Sequence, residues 1–102
     1  MAYTEFELLD CLKSVQDPEM GASIVELGLV YRAEQSAAGI DVDFTLTSPG
    51  CPLGEEIRTD IVLTLKKKTG IDLVRANIVW NPPWEAGMMS DELKLEFGYP
   101  IW

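Results

Sequence analysis

Histidine is absent from this chain of 102 residues, and cysteine occurs only twice, as Cys11 and Cys51. Without histidine, the chain cannot build a Cys–His or Ser–His catalytic pair. Two cysteines also fall short of the four Cys/His ligands of a structural metal site within one copy. Any metal bound through one of them would need carboxylates, water, a second subunit or a partner to complete its coordination. Basic residues are scarce too: 8 Lys and Arg stand against 17 Asp and Glu, a net charge of −9. Nucleic acids and anionic membranes both select cationic surfaces, so neither is expected as a partner. No apolar run approaches the ~18–20 residues that cross a bilayer. The opening MAYTEFELLD carries acids where a secretory signal would carry basic residues. A soluble, cytoplasmic protein is therefore expected, with free thiols and no Cys11–Cys51 disulfide.

Apolar residues make up 47% of the chain, enough to fold, and the length suits a single domain over residues 1–102. Thr4 and Glu7 have capping-box spacing ahead of a stripe formed by Leu8, Leu9, Leu12 and Val15, which predicts a first helix closed by Pro18. Cys11 lies beside that stripe and reads as a small packed side chain. Ser23 and Glu26 repeat the capping spacing, with Gly28 placed to stop a short helical turn. Leu29 to Gln35 reads as a strand. Across the SAAG break, residues 40–47 alternate strictly, with Ile40, Val42, Phe44 and Leu46 on one side and Asp41, Asp43, Thr45 and Thr47 on the other. That pattern predicts a hairpin with one buried face. Leu53, Ile57, Ile61 and Leu65 then mark a second helix, with Lys66, Lys67 and Lys68 in its last turn and Gly70 just beyond. A third strand is expected over residues 72–80, a loop over 81–89, and a last helix from Ser90 to Gly98. The order α-β-β-α-β-α predicts a two-layer α+β fold, a small and mainly antiparallel sheet with helices on one face.

Cys51 stands in TSPGCP, between a strand and the second helix. As the cap of that helix, with Pro52 in the first helical position, its sulfur would meet free backbone N–H groups and the positive end of the helix dipole. Both favour a thiolate. Glu55 and Glu56 oppose this, since their charge raises the pKa of a thiol nearby. A strand-to-helix turn holding a buried, inert Cys51 is the plain alternative.

Asp17-Pro18-Glu19 sets two carboxylates in a constrained turn, where they either approach a cation or simply end the first helix. In VWNPPW, Trp80 at the end of an alternating strand is expected to cap the core. Trp84 is expected to be more open and, with Met88 nearby, to offer a partner surface.

Taken together and in this order, DPE (17–19), SIVELGLVY (23–31), TLTSPGCP (45–52), VWNPPW (79–84) and MSDELKLEFGY (89–99) resemble the SufT-like and PaaD-like proteins of iron–sulfur cluster assembly. The likeness runs along nearly the whole chain. It implies the iron–sulfur assembly domain fold, and a role as an assembly or transfer factor rather than an enzyme. It implies that Cys51 is the functional thiol and a candidate metal ligand, with Asp17, Glu19 and Thr47 as neighbours. The PaaD-like C-terminal cysteine region is missing, which favours a general assembly role over service to one oxygenase. One cysteine cannot hold a Cys₄ cluster. A transient cluster or iron would thus be shared with a second subunit, as in a homodimer, with a small thiol, or with a partner. The implied partners are the assembly machinery and apo-protein clients. Two other classes stay open: a thiol enzyme using Cys51, and a protein-binding adaptor in which Cys51 is structural.

Overall fold

The computed structural model describes residues 3–47 and 53–98. Helix α1 spans Glu5–Leu12. The Thr4 hydroxyl accepts the Glu7 N–H at 3.1 Å, and the Glu7 carboxylate accepts the Thr4 N–H at 2.9 Å, so the expected capping box is formed. The helix stops at Leu12, well before Pro18. The Val15 N–H bonds the Leu12 carbonyl at 3.0 Å, which turns Val15 into the core. Gln16–Asp17 (β1) then pairs antiparallel with Ala22–Ser23 (β2). Pro18 therefore serves the turn of a small ribbon that the apolar periodicity does not announce.

Residues 24–28 form a single turn, closed by the Leu27 N–H on the Ser23 carbonyl at 2.9 Å and ended by Gly28 at φ 78°. Val30–Ser36 (β3) and Gly39–Phe44 (β4) make the expected hairpin, with an irregularity between Val30 and Arg32. Gly54–Thr69 (α2) carries the chain back, and Val74–Ile78 (β5) joins β4 in parallel, Ile40 beside Val74 and Phe44 beside Ile78. Parallel neighbours need such a crossover. The main sheet, ordered β3-β4-β5, thus holds one antiparallel and one parallel ladder, and the small ribbon adds a second antiparallel one.

The core lies between this sheet and the helices. Ala33, Ile40, Val42, Phe44 and Val74 are buried with Leu8 and Leu12 of α1 and with Ile57, Ile61 and Leu65 of α2. Each of these larger side chains contributes about 1.5–3 kcal/mol by leaving water. Lys66, Lys67 and Lys68 occupy the last turn of α2 before Gly70, at φ 74°. The Lys68 Nζ donates to the Cys11 carbonyl (3.0 Å) and to the Ser14 hydroxyl (3.1 Å), which ties this end of α2 to the end of α1. The other face of the sheet is polar. Arg75 makes two bonds of 2.8 Å to Asp41, while Arg32 (3.0 Å) and Asn77 (3.2 Å) hold Asp43. At the outer edge of β3, the Tyr3 N–H donates to the Gln35 side chain and the Ala33 N–H to the Glu5 carboxylate at 3.4 Å. Asp91–Phe97 (α3) is capped by the Ser90 hydroxyl, and Leu93 anchors it in the core.

The expected alternation fails at one position. Thr45, assigned to the polar side, is fully buried, and its hydroxyl has no hydrogen-bond partner among the described residues. The strand ends at Phe44, so the period of two no longer applies there.

Candidate functional site

Several segments converge where β4 and β5 end. The Val79 N–H bonds the Phe44 carbonyl (2.8 Å), and the Thr45 N–H bonds the Leu29 carbonyl (2.8 Å). Leu29 in turn reaches Ile24 (2.9 Å), and Ile24 reaches Val15 (2.9 Å), so a chain of backbone bonds links the end of β4 to the Asp17 ribbon. Helix α2 starts on the same end: a Cβ added to Gly54 would meet Leu46 Cδ1 at 2.9 Å and Ile78 Cδ1 at 3.4 Å. The segment 48–52 therefore leaves from Thr47, half-buried, and returns at Leu53 onto one end of the sheet. Cys51 and Pro52 lie outside the described residues. The cap of α2 is Leu53, and its side chain makes no capping bond. This corrects the expectation that Cys51 caps the helix with Pro52 in its first turn: the cap is Leu53 and the first helical residue is Gly54, which packs tightly on Leu46 and Ile78.

Asp17 is 0% exposed. Its Oδ1 accepts the N–H groups of Glu19 (2.8 Å) and Met20 (3.3 Å), and its carbonyl accepts the Gly21 N–H at 2.7 Å. These bonds fix the turn around Pro18. The other oxygen, Oδ2, is buried with no partner among the described residues. Asp17 is thus buried while Glu19 is exposed. Among the described residues, no three Cys, Asp or Glu side chains gather closely enough to hold a metal ion.

Cys11 is half-buried against the core, as its place in the helix suggests. It sits at the opposite end of α2, marked by the Lys68 bond. Over the 16 residues of α2, that separation is on the order of 20 Å.

The two indoles exchange their expected places. Trp80 is 46% exposed, whereas Trp84 packs against the core and donates its Nε1–H to the Leu27 carbonyl at 2.7 Å. The strand ends before Trp80, which frees it, and the double proline turns Trp84 back inward. The Asn81–Pro82 peptide is cis. The Tyr31 hydroxyl donates to the Pro82 carbonyl (2.8 Å) and approaches Met88 Sδ (3.6 Å), while the Ser90 N–H bonds the Glu26 carbonyl (2.7 Å). A Cβ on Gly28 would collide with the Met88 carbonyl oxygen, so glycine lets the two backbones touch. Met88 is thus half-buried beside Tyr31 and less open than the sequence suggests. Between these segments lies an open cleft of about 670 Å³, lined by Val30, Tyr31, Arg32, Asp43, Val79 and Met88 among others. Burial and the Glu85 carboxylate both push the Tyr31 phenol above its ordinary value. Tyr31 and Val79 stand in stretches that carry the family likeness, but no local pattern brings them together, because the cleft joins residues far apart along the chain.

Residues 5–78 match the family described as iron-sulfur cluster assembly protein. The chain belongs to that family. It is 45% identical over 85 residues to the Fe-S protein maturation auxiliary factor SufT of Staphylococcus aureus, covering 82% of this chain and 97% of that protein. It is 39% identical over 64 residues to an iron-sulfur cluster carrier protein of Deinococcus radiodurans, covering 63% of this chain but 18% of the carrier. The fold matches a domain of unknown function from Bacillus anthracis with a TM-score of 0.88 and 36% identity, covering 94% of this chain and 92% of that one.

Within this family frame the geometry has a plain chemical content. The end of the sheet holds Thr47, just after β4, and Leu53, the cap of α2, and a run of backbone bonds ties it to the turn at Asp17. The family match ends at residue 78, while the likeness in fold covers 94% of the chain. No helix among the described residues is long and apolar enough to cross a membrane.

Proposed function

We propose that this chain acts as a single domain in iron–sulfur cluster assembly or transfer, with Cys51 as the thiolate that ligates or contacts the cluster as cargo on its way to an apo-protein. The observation that carries this reading is the near end-to-end similarity to a maturation auxiliary factor, at 45% identity over 97% of that protein. Ligand poverty agrees with it. The chain has two thiols, and Cys11 is half-buried beside the end of α2 marked by Lys68. The remaining ligands then come from a second copy, a small thiol or the assembly machinery and its clients, which suits exchangeable binding. Asp17, Glu19 and Thr47 border the segment: Asp17 by fixing the turn, Thr47 by setting the chain's exit. Nothing in this arrangement needs a bond made or broken by a general base, and the role is that of a carrier or factor in the cytoplasm, not a catalyst.

The test is anaerobic reconstitution with iron and sulfide. Wild type and Cys11→Ser should show the same cluster absorbance and the same transfer to an apo-ferredoxin. Cys51→Ser should lose at least about 90% of both, as expected when a ligating thiolate is removed. Equal cluster content and transfer in Cys51→Ser would overturn the assignment. Cys51-dependent turnover of a disulfide or thioester, without metal, would replace it with thiol catalysis.

A further inference from the structure

The cleft beside the 81–89 loop is built before anything enters it. The Trp84 bond to Leu27, the Ser90 bond to Glu26 and the Tyr31 bond to Pro82 hold the loop against the 26–31 segment, and Gly28 lets Met88 sit flush. Val30, Val79 and Met88 make its walls apolar. Arg32 and Asp43 neutralise each other in the lining, and the charge left at its border is negative, from Glu34 and Glu85. Arg32 is the one cation in the lining, and it is already held by Asp43 at 3.0 Å and Glu34 at 3.5 Å. Glu85 stands close enough to act on Tyr31, and the chain as a whole carries −9. A second copy of this chain would bring the same negative charge to the same place. The cleft also lies at the end of the sheet where Val79 meets Phe44, next to the exit towards Cys51.

We propose that this cleft docks an extended segment of a protein partner that presents an apolar or aromatic side chain between lysines or arginines. The apolar walls take the anchoring side chain, since small clefts of this kind bind through one or two well-buried groups. The border carboxylates of Glu34 and Glu85 draw the flanking cations and reject acidic segments. That the partner is a cluster acceptor rests on the proposed function; the docking chemistry does not.

The full chain, labelled for amide NMR, is titrated with the peptide Lys-Ser-Lys-Phe-Lys-Ser-Lys, blocked at both ends. Saturable shifts should centre on Val30, Arg32, Val79 and Met88. Replacing the peptide's phenylalanine by alanine should weaken binding roughly 10-fold. Glu85→Lys, at an exposed position that leaves folding untouched, should weaken it by about 3- to 10-fold and flatten its salt dependence. A peptide with glutamates for lysines should not bind. The proposal is overturned by an absence of saturable shifts up to about 1 mM peptide, by shifts confined to other surfaces, or by equal binding of the acidic peptide. It is also overturned if the cleft signals shift with protein concentration alone, which would make a second copy the occupant. Cys51→Ser should bind the peptide as wild type does. Binding without Cys51-dependent transfer would defeat the cluster role alone, and transfer without binding would defeat the docking site alone.

Discussion

Trp80 and Trp84 stand four positions apart and do opposite work. The indole of Trp84 spends its N–H on the Leu27 carbonyl and holds the loop in place, whereas Trp80 is 46% exposed. Trp84→Phe keeps most of the ring but leaves that carbonyl without its donor, so it should cost about 1–3 kcal/mol of folding stability. Trp80→Phe should stay within about 0.5 kcal/mol of wild type, as surface changes usually do. Urea denaturation of both variants checks the pair, and a larger loss at Trp80 would contradict the placement of the two rings. At this scale the sequence is only partly readable. The capping box of Thr4 and Glu7 and the left-handed Gly70 follow from local chemistry and appear as expected. The burial of Asp17 and Thr45 depends on what other segments lay over them, and no local pattern carries that information.

Among the elements, β4 is the most legible and the most informative. Its alternation sends Ile40, Val42 and Phe44 to the core and leaves Asp41 and Asp43 on the polar face, where Arg75 and Arg32 meet them. Hydrogen bonds from those guanidinium groups hold both carboxyls below the ordinary value of 3.8. A carboxyl whose pKa is depressed in the folded state adds stability above the unfolded value and loses it as pH falls through the folded one. Acid should therefore weaken this ladder only below about pH 4. Asp41→Asn with Asp43→Asn should shrink the loss of thermal stability between pH 4 and pH 2.5 while leaving the slope above pH 5 alone. Melting curves across that range decide the matter, and an unchanged acid limb would count against the ladder. The parallel joining of β5 and the β1–β2 ribbon are less legible. The first follows from where α2 returns the chain; the second uses strands of two residues, too short for any period to show.

For the molecule as a whole, the long α2 separates the two thiols. Cys51 is two residues from Leu53, a reach of at most ~7 Å, while Cys11 lies by Lys68 at the other end of the helix. A disulfide needs Cα atoms within roughly 7 Å of each other. Mild oxidation should then yield no Cys11–Cys51 link, and peptide mapping under non-reducing conditions should find any Cys51 disulfide shared with a second molecule or a small thiol. An internal bond in the native protein would contradict the fold. The sequence alone gives a weaker reason for free thiols, the reducing compartment; the architecture supplies the geometric one.

The edge of β3, where Glu5 accepts the Ala33 N–H and the Gln35 side chain accepts the Tyr3 N–H, bears on what happens when many copies crowd together. Strand-by-strand stacking into fibres requires two open rims, one to receive and one to offer. Here one rim is partly covered, by the Tyr3 backbone and the Glu5 side chain in and just before α1. In the main sheet, among the described residues, that leaves β5 as the more open rim, which favours a pair of sheets over a running filament.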